Sequence, residues 1–394
     1  MEKQQEVANI FRVYGQAYRD AHGMEMPKRH FRTINAIESC RTAELGGHVD
    51  KCEECGVLKI SYNSCRNRHC PKCQCLDKER WLKDRKRDVL PTSYYHVVFT
   101  IPEELRPLAL RNQKVVYGIL FQAASDTLKE LAKDPKHLGA EIGFIAVLHT
   151  WSQTLIDHPH IHCIVTGGGL SQDGKKWVSG KKQFFIHYKV LSRVFRGKFL
   201  DYLRKKHESG ELVFPGKIKE LNTVSSFNLM LSNVYNKEWI VYCKEPFQKP
   251  EHVIDYLGRY THRVAISNDR IIKLEEGKVT VRYRDSSDND KTKLMSLDAF
   301  EFIRRFLLHV LPDNFMKIRH YGILSNRNRK TKLSLCKELL EVVIEDDTCS
   351  IEAETWEDLL TRITGVDPRI CTACGKGKMV RKEMLVPKRG RYPP

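Results

Sequence analysis

Apolar and polar positions change period several times along the chain, and each change marks an element. The stretch YYHVVFT (94–100) is short, aromatic and β-branched, which predicts a strand. IGFIAVLHTW (142–151) and HIHCIVT (160–166) read the same way. The polar turn Asp157-His158-Pro159 between them favours an antiparallel hairpin, and Gly167-Gly168-Gly169 is expected to end its second strand. Apolar residues at helical spacing predict helices from Pro102 to about Ala132, near 187–207 and 226–235, over 251–260 after Pro250, and over 297–310. Short strands are expected at 264–267, 270–274 and 278–283. The charged run 78–87 reads as a helical connector stopped by Pro91. Beyond about 325 comes a basic run, then an acidic helical stretch over 338–358, then a basic tail. The pattern is α+β: an antiparallel sheet with helices packed on it. Its expected segments are a helical lead-in (1–37), a cysteine-rich module (38–80), a central domain (90–325) and a C-terminal extension (326–394).

Composition narrows this picture. The chain has 394 residues, 41% of them hydrophobic, enough for more than one domain with a core. Its 67 Lys and Arg against 49 Asp and Glu give a net charge of +18, which points to a polyanionic partner, above all nucleic acid. No apolar run reaches the roughly 18–20 residues of a spanning helix, so no membrane role is expected. The first residues carry charges and no apolar h-region, so no secretory signal is read and a cytoplasmic, reducing location is expected. There the 13 Cys, an odd number, call for metal or burial rather than disulfides.

Seven of those cysteines fall between Cys40 and Cys75. Cys52-x2-Cys55 and Cys70-x2-Cys73 stand fourteen residues apart, and two such loops can close one tetrahedral Zn2+ shell. Cys40, His48, Cys65 and His69 supply four further donors, so the window suits one or two structural zinc ions whose pairing the sequence leaves open. An iron–sulfur cluster also takes four Cys, but knuckles interleaved with Arg66, Arg68 and Lys72 fit a DNA-binding zinc module better. Cys371 and Cys374 form half of a knuckle, to be completed from elsewhere or left as free thiols.

His160 and His162 share one face of their predicted strand, with Ile161 and Cys163 on the other. Two such imidazoles can chelate a divalent ion. In a hairpin His149 returns beside them as a third ligand, with Gln153 as runner-up by parity. Three neutral ligands leave positions open for water and phosphate oxygens, the arrangement of a catalytic metal. Tyr256 and Tyr260, four apart, project from one helix face. A phenol beside a metal-bound phosphate can act as a nucleophile, and Arg259 and Arg263 beside it can clamp phosphate oxygens. Taken singly, each pattern is also compatible with ordinary core packing.

Together these stretches resemble the rolling-circle insertion-sequence transposases of the HUH superfamily, the zinc-bearing two-tyrosine kind (insertion sequence ninety-one family). The matching stretches are CRTAELGGH (40–48), SCRNRHCPKC (64–73), YHVVFTIP (95–102), HTWSQ (149–153), HPHIHC (158–163), GGGLS (167–171), YLGRYTHR (256–263) and IRHYG (318–322). The resemblance implies an HUH-type nuclease domain over 90–325, with His160 and His162 as the metal pair and His149 as third ligand. It also implies Tyr256 and Tyr260 as paired nucleophiles. The implied activity is nicking and rejoining of single-stranded DNA through a 5′-phosphotyrosine, assisted by Mg2+ or Mn2+, with the zinc module binding element ends. Arg66 and Arg68 are candidates for reading that DNA. Cys75 stands outside the family's pattern.

Three other readings remain open to the sequence. A replication initiator or relaxase would use the same chemistry. A non-catalytic zinc-finger protein would make the histidines and tyrosines structural. A zinc metallohydrolase is disfavoured because no HExxH occurs. Oligomeric state, DNA target and the order of the two tyrosines are not written in the sequence.

Overall fold

The computed structural model describes residues 5–180, 186–247, 253, 258, 265–342 and 354–388. The chain divides into two compact units, and neither is continuous in sequence. One comprises Met1–Lys83, His262–Val310 and Ile344–Pro394, and the other Asp84–Thr261 and Leu311–Val343. The boundaries 38–80, 90–325 and 326–394 therefore do not coincide with these units. Long-range strand pairing, not chain order, groups the segments.

The first unit opens with helices α1 (Val7–His22) and α2 (Lys28–Ser39). Strands β1 (Gly47–Cys52) and β2 (Leu58–Tyr62) follow, then α3 (Pro71–Lys86). The buried stripe of α1 carries Phe11 and Tyr18, which meet Phe306 and Phe300 edge-on at 5.2 and 5.5 Å.

In the second unit β3 is Tyr94–Thr100, as the pattern predicts. The helix expected from Pro102 is split into α4 (Arg106–Arg111) and α5 (Gln113–Lys133). Asn112 makes the break. Its side chain takes the Val213 N–H at 2.8 Å and donates to the Val213 carbonyl at 2.9 Å, an alternative to helix continuation that pins a distant loop. Next come β4 (Ala140–Trp151), β5 (Asp157–Ser171), β6 (Trp177–Ser179), α6 (Tyr188–Glu208), α7 (Val224–Tyr235) and β7 (Val241–Phe247). The three glycines at 167–169 do not end β5 but lie inside it. Neighbouring strands pass so close that a Cβ on Gly168 would meet Trp177, and one on Gly169 would meet Glu141.

The first unit continues with β8 (Ile271–Glu275), β9 (Lys278–Asp285), β10 (Lys291–Asp298) and α8 (Ala299–Leu308). The second continues with β11 (Ile318–Gly322) and α9 (Ser334–Leu339). The last elements, α10 (Trp356–Thr364) and β12 (Met379–Leu385), belong to the first unit. The expected strand at 264–267 is absent among its described residues, and β10, which follows β9 as an antiparallel partner, was not legible as a strand.

The sheet of the second unit is antiparallel, with strands in the order β11-β4-β5-β3-β7 and β6 beside β5. Alternation gives it two distinct faces. Phe99, Phe144, Ile161 and Val165 point into one core with Leu120 of α5, Phe195 and Phe199 of α6, and Trp239. Each such side chain contributes about 1.5–3 kcal/mol through burial. The opposite face carries the histidines. The first unit holds two three-stranded sheets, β12-β1-β2 and β10-β9-β8. No helix among the described residues is long and apolar enough to cross a membrane.

Candidate functional site

β4 and β5 are adjacent and antiparallel, with His149 opposite His160 and Val147 opposite His162. That register brings the three imidazoles of His149, His160 and His162 onto one face, their ligating nitrogens all within 4.8 Å of one another. No fourth His, Cys or carboxylate joins the group among the described residues. His149 and His162 are buried and His160 is half-buried, so the group opens on the His160 side. The Trp151 ring stacks on His149 at 4.7 Å and 19°, fixing its plane.

The remaining ring nitrogens have defined partners. His160 Nδ1 donates to the His158 carbonyl at 2.6 Å, which leaves Nε2 with its lone pair. His162 Nδ1 lies 2.8 Å from His96 Nε2. Burial, with Lys244 and His160 adding to it, pushes the His96 pKa down to about 3, so this ring is neutral, and in the tautomer with its own proton on Nδ1 its Nε2 can accept from His162 Nδ1. His162 then presents Nε2 as well. Such partners orient metal-ligating imidazoles and raise their basicity.

Gln153, the runner-up ligand, lies in the turn between β4 and β5. His158 is held at Nδ1 by Arg106 at 3.2 Å. Beside it Asp157 is buried, and neither of its carboxylate oxygens has a hydrogen-bond partner among the described residues. Burial raises the Asp157 pKa to about 7 against the opposing pull of Arg106. Tyr256, Tyr260, Arg259 and Arg263 lie outside the described residues. Val253, three residues before Tyr256, is described: it is buried and lines a small cleft with Tyr94, Ile145 and Ile164. Ile145 and Ile164 share the histidine face, being opposite each other in the same register.

The cysteines gather at two points in the first unit. At one, Cys40 follows α2, Cys65 lies after β2, and Cys70 and Cys73 stand at the start of α3. Their sulfurs are 3.6–3.7 Å apart where paired. At the other, Cys52 and Cys55 meet Cys371 and Cys374, at 3.7 Å for Cys52–Cys374 and for Cys55–Cys371. Zn–S bonds of about 2.3 Å at tetrahedral angles place neighbouring sulfurs about 3.8 Å apart, so both groups fit zinc. Backbone N–H groups point at the sulfurs, from Cys55 to Cys52 Sγ at 3.5 Å and from Gly377 to Cys374 Sγ at 3.4 Å. The Gly377 and Lys376 amides draw the Cys374 pKa down to about 6, favouring the thiolate that binds metal.

The expected donor set changes in two places. His48 belongs to neither group; its Nε2 faces Asp50 at 3.2 Å. It stands four residues before Cys52 on an extended strand, roughly 13 Å away. His69 is also outside, because four thiols already occupy its site. The half-knuckle Cys371/Cys374 takes their place. The β1–β12 ladder, with Cys52 opposite Met379, carries it there. Arg66 and Arg68 lie on the loop between β2 and α3 that also bears Cys65 and Cys70, with Arg66 exposed.

Comparison with known proteins decides the family. A family model described as "Putative transposase" matches residues 143–332, and one described as "Transposase zinc-binding domain" matches residues 10–101. A protein of Sinorhizobium fredii named "Putative transposase y4qJ" is 48% identical over 380 residues, 96% of this chain and 95% of that one. The chain belongs to the IS91 family of transposases. The "Transposase for insertion sequence element IS801" of Pseudomonas savastanoi pv. phaseolicola is 26% identical over 346 residues, 87% of this chain and 81% of that one. The N-terminal region of this transposase is thus a zinc-binding domain, and the second cysteine group draws half its sulfurs from beyond the matched segment.

Two features of the transposase escaped the sequence. His96 gave a usable signal: on β3 it has the same parity as Tyr94 and Val98, and β3 pairs with β5, so it faces His162 diagonally. Arg106 gave none, since its approach to His158 depends on the turn after β3.

Proposed function

We propose that this transposase nicks and rejoins single-stranded DNA by tyrosine transesterification, as in rolling-circle transposition. The observation that carries this reading is the open three-imidazole group of His149, His160 and His162. Three neutral nitrogen donors, with no fourth His, Cys or carboxylate beside them among the described residues, fit a divalent ion that keeps positions for substrate, Mn2+ better than Mg2+ on donor softness. Such an ion supplies Lewis-acid polarisation of the scissile phosphate. The protein's part is to hold three lone pairs on one point, with His158, His96 and Trp151 locking the rings.

Tyr256 and Tyr260 are the proposed nucleophiles. The phenol loses its proton, its oxygen bonds to phosphorus, the bond from phosphorus to the 3′ oxygen breaks, and that oxygen takes up a proton. A 5′-phosphotyrosine and a free 3′-OH result. The new ester keeps the bond energy, so rejoining needs no ATP, and the second tyrosine serves the second strand end. Arg259 and Arg263 are the proposed phosphate clamps. Val253, buried on the histidine face three residues before Tyr256, supports bringing that segment to the metal group. The eight grouped thiolates are the proposed ligands of two structural zinc ions, and Arg66 and Arg68 the proposed DNA contacts.

The test is a denaturing gel of the protein incubated with labelled single-stranded DNA and Mn2+. A covalent protein–DNA species is expected, and it should be lost in the Tyr256→Phe, Tyr260→Phe double variant. No adduct with the native protein, or an adduct that survives the double substitution, would overturn the assignment.

A further inference from the structure

The histidine face extends beyond its metal group. Three strands supply a cross-strand grid on that face. His160, His162 and Ile164 of β5 stand opposite Thr100, Val98 and His96 of β3. Val98 and His96 stand in turn opposite Tyr242 and Lys244 of β7. The Thr100 N–H donates to the Ile240 carbonyl, which continues the third row. The alternate residues Val241 and Cys243 pack toward the core on the other face.

β7 is the outer strand on this side of the described sheet, and its Tyr242 and Lys244 on the histidine face are exposed. Tyr242, at the start of β7, is 50% accessible, and Ile240, just before the strand, 69%, high values for large side chains beside a sheet face. Among the described strand residues, Val98 and Thr100, both half-exposed, lie between them and the histidines. Lys244 is exposed too, with its Nζ 5.8 Å from the Tyr242 ring centroid. An open aromatic face, a neighbouring cation and a +18 chain complement a single strand of nucleic acid, which offers flat bases and phosphates. Two strand spacings, roughly 10 Å, separate the Tyr242 row from the His162 strand. A base beside the scissile linkage could span that gap.

We propose that Tyr242 is a stacking platform for a nucleobase flanking the scissile phosphate, with Lys244 contacting the adjoining phosphate. This rests on the reading of the histidine group as the phosphate site. The bound form is single-stranded DNA, because paired bases cannot offer a free face to the ring. Stacking of this kind tolerates any base, so the surface holds the strand in register without choosing its sequence.

The test uses the full-length protein and a fluorescent mixed-sequence single-stranded oligonucleotide, titrated by anisotropy without added Mn2+. Tyr242→Ala is expected to weaken binding about tenfold, Tyr242→Phe to stay within about twofold, and Tyr242→Trp to match or exceed the native protein. Lys244→Ala should lower the slope of log affinity against log salt by about 0.7. An oligonucleotide carrying iodouracil next to the cleaved linkage should photocross-link to Tyr242. Native affinity in Tyr242→Ala, or an equal loss in Tyr242→Phe, would overturn the platform. Adduct formation by the native protein is scored in parallel. An adduct with no effect of Tyr242→Ala sinks the platform and keeps the nuclease, whereas loss of binding with no native adduct sinks the nuclease and keeps a strand-binding surface.

Discussion

The two cysteine groups and the histidine group solve opposite problems with similar means. Each cysteine group gathers four sulfurs from separate segments, 33 residues apart at most in one (Cys40 and Cys73) and 322 in the other (Cys52 and Cys374). Four protein ligands close a tetrahedral shell, leaving no position for substrate. The histidine group takes three nitrogens from two neighbouring strands, with no fourth His, Cys or carboxylate among the described residues. One arrangement ties the chain together, and the other holds a place open. The difference lies in how the backbone supplies donors. Short knuckles and strand ends let cysteines turn toward a common centre, whereas a flat sheet with period-two alternation offers imidazoles only from one side.

The largest effect should come from opening a closed site. Cys371→Ser is expected to release one zinc equivalent on dialysis, read by atomic emission, and to loosen the β12-β1-β2 sheet. Structural zinc carries about 10 kcal/mol or more of folding free energy, so thermal unfolding of this unit should move far down. Gly377→Ala should act in the same direction, since its Cβ would run into Cys52 Sγ. Retained zinc with an unchanged transition in Cys371→Ser would show that these sulfurs do not share an ion.

This comparison also explains what could be read beforehand. The His160–His162 pair and the return of His149 were legible because alternation and hairpin pairing are local rules, and the register obeys them. The second cysteine site was not, because nothing local joins residue 55 to residue 371. Proximity in sequence suggested His48 and His69 instead, but an extended β1 carries His48 away from Cys52 toward Asp50. Glycines mislead in a similar way. The run at 167–169 looks like a strand end, yet it serves close packing inside β5. The discontinuous units have the same origin, since β1 finds its partner β12 more than 300 residues later.

An open site should lose function without losing fold. His160→Ala removes the half-exposed member of the group, so little packing is lost. Cleavage should fall by ~10³-fold, the several kcal/mol that Lewis-acid polarisation supplies. Zinc content should hold at the native value, because the histidines and the cysteines belong to different groups. A fall of one zinc equivalent in this variant would instead make the histidine group a structural site and erase the contrast.

His96→Ala sharpens the comparison with a smaller effect. His96 is a positioning residue: its Nε2 lies 2.8 Å from His162 Nδ1, and with the His162 proton on Nδ1 this hydrogen bond holds that ring's Nε2 toward the group. Without it His162 can rotate or change tautomer, and the metal loses a well-aimed donor. Mn2+ affinity, followed by electron paramagnetic resonance, should weaken about 10–100-fold. His96→Gln keeps an acceptor on the side chain and should recover part of that loss, which a purely structural role would not explain. The cysteine groups need no such partner ring. At the group of Cys52, Cys55, Cys371 and Cys374 the backbone amides of Cys55 and Gly377 do the equivalent work, so substituting side chains around that group should leave its zinc affinity almost untouched. If His96→Ala bound Mn2+ as the native protein does, the His162 plane would be set by the neighbouring His149 and His160 rings and the sheet alone, and the open site would be as self-supporting as the closed ones.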